Sequence, residues 1–406
     1  MRVKPFRALR PAEDRAEKVA AVPYDVVDTA EARVLAKGNS DSFLHVTRPE
    51  IDLPDGIDLY SDQVYAQGAK ALKDLQQRGV LIREKTDCIY VYRQIMGDHS
   101  QTGVVACSHI DDYAGNLIRK HEKTRQNKED DRTRHVLEMN ANAGPVFLTY
   151  RDTETLDTLV AEVQRNLPLY DFTAEDGVRH TLWLVSENTD AWVSAFSDVP
   201  LSYVADGHHR AAAAWRAGEQ RRKRNPEHNG TEEYNWFLTV LFPASQLKIL
   251  PYNRCVCDLN SLTCDEFLEK VKTVFKVEPV EKPSPDGARE VCMYLNSKWY
   301  NLSWDAFEAD PVGILDVSVL QDRLLNPVLG IDDPRTNDRI SFIGGIRGTE
   351  ELVKRVDSGR DAVAFSMHPV SIEQMMDIAD VDQIMPPKST WFEPKLRSGL
   401  IVHTLD

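Results

Sequence analysis

The sequence predicts a mixed α/β (α+β) protein, and three observations carry that expectation. Short apolar runs alternate with amphipathic helical stretches along most of the chain, the order expected of helices covering a sheet. "CIYVYRQIM" and "TGVVACSHI" flank the polar turn "GDHSQ", which predicts a hairpin and antiparallel pairing. "RISFIGG", "TEELVKRVDSG" and "DAVAFSM" follow as strand, helix and strand, the pattern of a βαβ unit.

Residues 1–87 form a first segment of Pro-punctuated chain and helices. Its clearest helix is "SDQVYAQGAKALKDLQQRGVL", where Val64, Ala71, Leu72 and Leu75 fall near one face. From residue 88 to 256 the hairpin leads through a polar loop into a helix around "KEDDRTRHVLEMN". Strand "GPVFLTY", helix "TETLDTLVAEVQRNL" and strand "HTLWLVS" come next. An apolar strand from Leu201 to Ala205, an alanine-rich helix and strand "WFLTVLF" follow them. Residues 257–406 open on a helical stretch and the Pro-rich "EPVEKPSPDG", which reads as a surface loop. Strands "VCMYLN" and "KWYNLSW" and helix "GILDVSVLQDRLLNPVLG" precede the βαβ unit; helix "SIEQMMDIAD" and strand "GLIVHTL" come after it.

Composition narrows the function classes. No apolar run approaches the about 18–20 residues that span a membrane. "MRVKPFRALRPAEDRAEK" lacks the apolar centre of a signal peptide. The six cysteines contain no CxxC pair and read as reduced thiols of a cytoplasmic protein. A net charge of −15 argues against a nucleic-acid partner, which selects basic surfaces. The one basic cluster, "EQRRKRNPEHNG", reads as a solvated helix end.

The densest polar junction is "VADGHHRAAAAWR". A strand that stops and feeds a helix presents its turn at the sheet edge where ligands of α/β proteins sit, beside a helix N-terminus that attracts anions. Gly207 lets backbone approach a ligand, Arg210 can fork onto a phosphate or carboxylate, and Asp206 can accept a proton. A purely structural role, with Asp206 as N-cap, explains one of these residues and not all five. Zinc is disfavoured, because the adjacent His208 and His209 diverge and no spaced partner motif accompanies them.

Other stretches are less telling alone. In "HEKTRQNKEDDRTRH", Thr124 is a fair N-cap and the acids suit a first helical turn. "MPPKSTWFEPKLRSGL" offers cations and hydroxyls from Lys388, Ser389, Thr390 and Lys395, and "VPYDVV" places Asp25 after a Pro-fixed turn. "FIGGIRGTEE" is a glycine turn that matches neither Walker A nor GxGxxG.

Together, "HEKT" and "ADGHHR" resemble the free-serine kinases of the ParB/sulfiredoxin superfamily. The resemblance is closer to a long bacterial family related to them, first described as a domain of unknown function. That family also carries stretches similar to "VPYDVV", "LPYNR" and "MPPKSTWFEPKLRSGL", with Leu250 here where valine is usual. The resemblance implies a ParB/sulfiredoxin-like nucleotide-binding core at residues 88–256. Around it lie N- and C-terminal α/β segments, 1–87 and 257–406, the last stretch returning to the active site.

The implied activity is transfer of a phosphoryl group from ATP or ADP to the hydroxyl of free L-serine, with Mg²⁺, giving O-phospho-L-serine. By motif, Glu122 and Asp206 are then the catalytic acids. His121, Thr124, Gly207, His208, His209 and Arg210 bind nucleotide or phosphates. Asp25, Lys388, Ser389 and Thr390 are candidates for the serine ammonium and carboxylate. His208 stands where sulfiredoxin carries its attacking cysteine, which excludes that chemistry. The rival expectation is a ParB-like nucleotide-binding regulator without turnover, which needs the phosphate grip but not both acids.

Overall fold

Valine, isoleucine and tyrosine fill the predicted hairpin, and such side chains suit a pleated, buried surface. In the computed structural model, which describes all 406 residues, it is Ile89–Met96 paired with His99–His109. Met96 already pairs with His99, so the turn is only Gly97 and Asp98 rather than the longer loop expected. The chain forms two units. One comprises residues 1–120, 124–247 and 394–406; the other comprises 121–123 and 248–393.

The first unit is built on a nine-stranded mixed sheet. Its strands run Ile118–Arg119, Ser202–Asp206, Val146–Tyr150, Trp236–Pro243, His99–His109, Ile89–Met96, Arg179–Val185 and Tyr170–Thr173, with Val3–Lys4 added beside His99–His109. Two pairings are parallel: Ser202–Asp206 with Ile118–Arg119, and Trp236–Pro243 with Val146–Tyr150. Val91, Val104, Leu148, Val204 and Leu241 of the sheet pack against Leu156, Trp192 and Phe196 of two helices and Ala211 of a third. Burying each large side chain contributes about 1.5–3 kcal/mol. The helix Asp62–Gln77 turns Val64, Ala71, Leu72 and Leu75 inward, the face its spacing predicts.

Residues 394–406 are sewn into this unit by buried polar groups. Gln101 Nε2 donates to Gln94 Oε1 at 3.0 Å, and Gln94 Nε2 donates to the Lys395 carbonyl at 2.9 Å. Arg397 Nε donates to His180 Nε2 at 3.2 Å, which leaves the proton of that imidazole on Nδ1, 2.7 Å from Tyr92 Oη. The expected final strand shrinks to His403–Thr404, paired with Ala141–Asn142.

The second unit carries a six-stranded antiparallel sheet in the order Lys276–Val280, Lys298–Ser303, Glu290–Leu295, Val363–Met367, Tyr252–Val256, Ile340–Gly344. The predicted βαβ unit is present but split. Ile340–Gly344 and Val363–Met367 run parallel across the helix Glu350–Asp357, yet Tyr252–Val256 is inserted between them and pairs with both. The Pro-rich stretch expected as loop begins as strand Lys276–Val280, because an edge strand tolerates Pro279 without an N–H. Helix "GILDVSVLQDRLLNPVLG" is shorter than predicted, with Asp316–Leu320 followed by a π-type turn at Gln321–Leu325.

"FIGGIRG" owes its glycines to close packing. A Cβ on Gly344 would lie 2.8 Å from the Trp391 ring, and one on Gly345 would lie 2.7 Å from Pro251. All six cysteines are free thiols. No helix is long and apolar enough to cross a membrane.

Candidate active site

The strand Ser202–Asp206 ends at a register shift between Val204 and Asp206, and such a bulge re-aims the side chain that follows it. Gly207 then adopts a φ of 95°, a left-handed conformation that a side chain would strain, and the helix His208–Arg224 begins. A Cβ here would also stand 3.0 Å from Arg210 Nε. The N-cap is therefore Gly207 and not Asp206, and no side chain caps the helix.

Asp206 instead gathers donors. Its Oδ1 accepts from the Gly207 N–H at 2.9 Å, and its Oδ2 faces Lys395 Nζ at 3.3 Å and Arg210 Nη2 at 3.5 Å. Burial works to raise its pKa, but the charges of Lys395 and Arg210 outweigh burial and hold the carboxyl well below the usual carboxylate range. Asp206 is an ionised acceptor in this arrangement.

Arg210 has a side chain only 9% exposed. Its Nη1 donates to the Pro145 carbonyl, while Nε is buried without a hydrogen-bond partner. Burial opposes its charge, yet Asp25, Asp206 and Tyr24 raise its pKa. The predicted residue Asp25 thus acts electrostatically on the same guanidinium.

The two histidines differ. His208 is buried, and burial pushes its pKa down to about 3 against the pull of Asp206, so it is a neutral imidazole at pH 7. His209 Nε2 accepts from the Arg125 N–H at 3.1 Å, tying the Ala-rich helix to the start of helix Gln126–Met139. That helix is capped at Arg125 rather than Thr124 and has no side-chain cap. The Thr124 hydroxyl is engaged by Glu129, which also takes Arg216 at 3.1 Å.

His121 and Glu122 belong to the second unit, as do Lys388, Ser389 and Thr390. There His121 Nε2 lies 3.2 Å from Thr390 Oγ1, and the His121 carbonyl accepts from the Met385 N–H at 2.9 Å. "HEKT" and "MPPKST" are thereby joined. Ser389 Oγ donates to the Pro386 carbonyl at 2.7 Å, and Lys388 Nζ sits over the Tyr252 ring, 5.5 Å from its centre. These contacts give Ser389 a turn-stabilising role. Glu122 is half-buried on a bend.

Sequence reasoning did not single out Lys395 among the polar groups of its stretch, nor Tyr24, and it gave Arg132 only a pairing with the acids Glu129–Asp131. The Arg132 guanidinium stacks 4.2 Å from the Tyr24 ring centre and is held by Asp131, whose other oxygen accepts from Tyr65 Oη at 2.8 Å. No group of three or more His, Cys, Asp or Glu side chains is placed to hold a metal ion.

Residues 3–318 match the family described as "Protein of unknown function (DUF1015)". The chain belongs to the DUF1015 family. No curated protein matches this DUF1015 chain. Among solved structures, a conserved hypothetical protein from Pyrococcus furiosus is 13% identical, with 73% of this chain and 95% of that one covered at a TM-score of 0.37. A free serine kinase in complex with AMP is 12% identical, with 73% and 91% covered at a TM-score of 0.36. SbnI with a C-terminal truncation, from Staphylococcus aureus, is 10% identical, with 71% and 82% covered at a TM-score of 0.37. The likeness of the DUF1015 chain to each is loose.

Proposed function

We propose that this protein is a nucleotide-dependent kinase of a free hydroxy amino acid, L-serine first, with ATP or ADP as donor. One observation carries the reading. Asp206, Gly207 and Arg210 form a strand-to-helix turn in which an ionised carboxylate and two cations, Arg210 and Lys395, meet beside an uncapped helix N-terminus. Phosphoryl transfer to an alcohol requires those parts: positive groups and N–H donors for phosphate oxygens, and an acceptor for the hydroxyl hydrogen. The motif resemblance of "HEKT" and "ADGHHR" to free-serine kinases supports the same reading and supplies Glu122 as a second acid.

In the reaction the acceptor oxygen forms a bond to the terminal phosphorus, and the bond from that phosphorus to its bridging oxygen breaks. The hydroxyl proton passes to a carboxylate. Asp206 accepts the hydroxyl hydrogen bond, and a loose transition state does not demand a strong base. Arg210 and Lys395 neutralise phosphate charge, and His208 serves as a neutral donor. The donor set fits a Mg²⁺ ion carried by the nucleotide phosphates with at most one carboxylate, since both Asp206 oxygens already have partners. When bound, that ion neutralises charge on the phosphate oxygens.

Full-length protein incubated with Mg²⁺, ATP or ADP, and L-serine, L-threonine or L-homoserine tests the reading by ³¹P NMR. A phosphomonoester of one of them is expected. Nucleotide binding without any phosphorylated amino acid would point to the regulatory alternative and sink the kinase.

A further inference from the structure

Four motif stretches far apart in sequence meet around one cavity of the first unit. Its wall includes Tyr24 of "VPYDVV", Arg132 of "HEKT…DR", Arg210 of "DGHHR" and Ser398 of "KLRSGL". The cavity measures about 40 Å³, room for roughly three water-sized groups. A nucleobase or ribose is too large for it; the carboxylate end of a small amino acid is not.

The lining is unusual for a packing void. Empty interior cavities are apolar and dry. Most of this cavity's surface is apolar, Ala214 and Phe237 included, but two arginines, Arg132 and Arg210, also border it. Arg132 is held in place for this position: Tyr65 fixes Asp131, and Asp131 takes Arg132 through Nε at 2.9 Å and Nη2 at 2.8 Å. Nη1 is left out of that pairing. Arg210 is nine-tenths buried and carries an unpartnered Nε, so one of its donors is left unanswered by the protein. A carboxylate answers two guanidinium groups better than water does.

We propose that this cavity receives the carboxylate of a small hydroxy amino acid, with Arg132 selecting it and Arg210 joining the subsite to Asp206. The identity of the ligand as a phosphoryl acceptor rests on the kinase reading; the cavity and its anion preference do not. Arg210 links the two places, bordering the cavity and facing Asp206 through Nη2 at 3.5 Å. Tyr24 and Ser398 border the same cavity.

The test uses full-length protein, calorimetric binding and turnover, with L-serine and ethanolamine, which keeps the hydroxyl and amine but lacks the carboxylate. L-serine should bind at least ~100-fold more tightly than ethanolamine. Arg132→Met should remove most of that preference while leaving ethanolamine and nucleotide affinity within about twofold, and Arg132→Lys should restore part of it. Ala214→Leu, which fills the cavity, should abolish L-serine binding; thermal melting shows whether each variant folds, and Arg132→Lys keeps the test open if Ala214→Leu does not. Phosphoserine formation with an unchanged serine KM in both Arg132 variants would overturn the subsite and leave the kinase standing. Carboxylate-dependent, Arg132-dependent binding with no phosphorylated product would overturn the kinase and leave the subsite standing. Equal binding of serine and ethanolamine by the unaltered protein would overturn the subsite outright.

Discussion

Lys395 Nζ stands 3.3 Å from Asp206 Oδ2, a contact between residues 189 positions apart. It places a second cation on a carboxylate that Arg210 already faces. That triad is the electrostatic centre of the proposed site.

Asp206→Asn keeps the shape of the side chain and removes its charge. Turnover should fall by at least ~100-fold, and melting temperature should drop as well, since the buried Arg210 and Lys395 lose the negative charge they face. Glu122→Gln should cost a similar factor. Near-normal rates for both variants, measured on folded protein, would refute their assignment as the catalytic acids.

Lys395→Met removes one of the two charges that depress Asp206. The folded-state pKa of Asp206 should rise, so the acid limb of the kcat/KM profile moves to higher pH. A lower rate with an unmoved acid limb would mean that Lys395 only shapes the loop.

Gly207→Ala meets two obstacles at once, a φ of 95° and the guanidinium of Arg210 3.0 Å from the new carbon. Denaturant titration should show a loss of about 1–3 kcal/mol, with activity lost as the turn shifts. Unaltered stability would place the constraint elsewhere.

His135, His180 and His208 are buried and neutral, each pushed down to about 3 chiefly by burial. In the unfolded chain they bind protons below about pH 6.5. The unfolded state therefore holds more protons between those two values, and stability falls as pH drops through that window. At pH 5 each contributes a loss of about 2 kcal/mol relative to pH 7.5, a figure set almost wholly by the unfolded value. Urea unfolding at both pH values checks this, and His180→Gln should remove one such contribution, about 2 kcal/mol, from the dependence.

Local patterns account for what the sequence disclosed. Helix Asp62–Gln77 and strand Trp236–Pro243 are written in nearest-neighbour periodicity, and "DGHHR" stands out because no buried strand or helix needs that mixture. Pairing between distant segments leaves no such trace. Nothing near Lys395 says that it, rather than Lys388, reaches Asp206, because a two-glutamine relay from Gln101 and Gln94 sets where that backbone lies. Strand order is equally silent about Tyr252–Val256 slipping between the two strands of the βαβ unit. At Thr124 the cap expectation failed to a competitor, since Glu129 claims the hydroxyl first.

The three-piece construction of the first unit has a consequence for biosynthesis. Residues 394–406 emerge from the ribosome after the entire second unit, yet they bring Lys395 to Asp206, Arg397 to His180 and Ser398 to the cavity. A nascent chain that has made every motif up to "MPPKST" still holds Asp206 with one cation and His180 without its arginine. Translation order thus acts as a timer: the nine-stranded sheet can gather early, but the proposed site is electrostatically complete only after residues 394–406 have followed the second unit out of the ribosome.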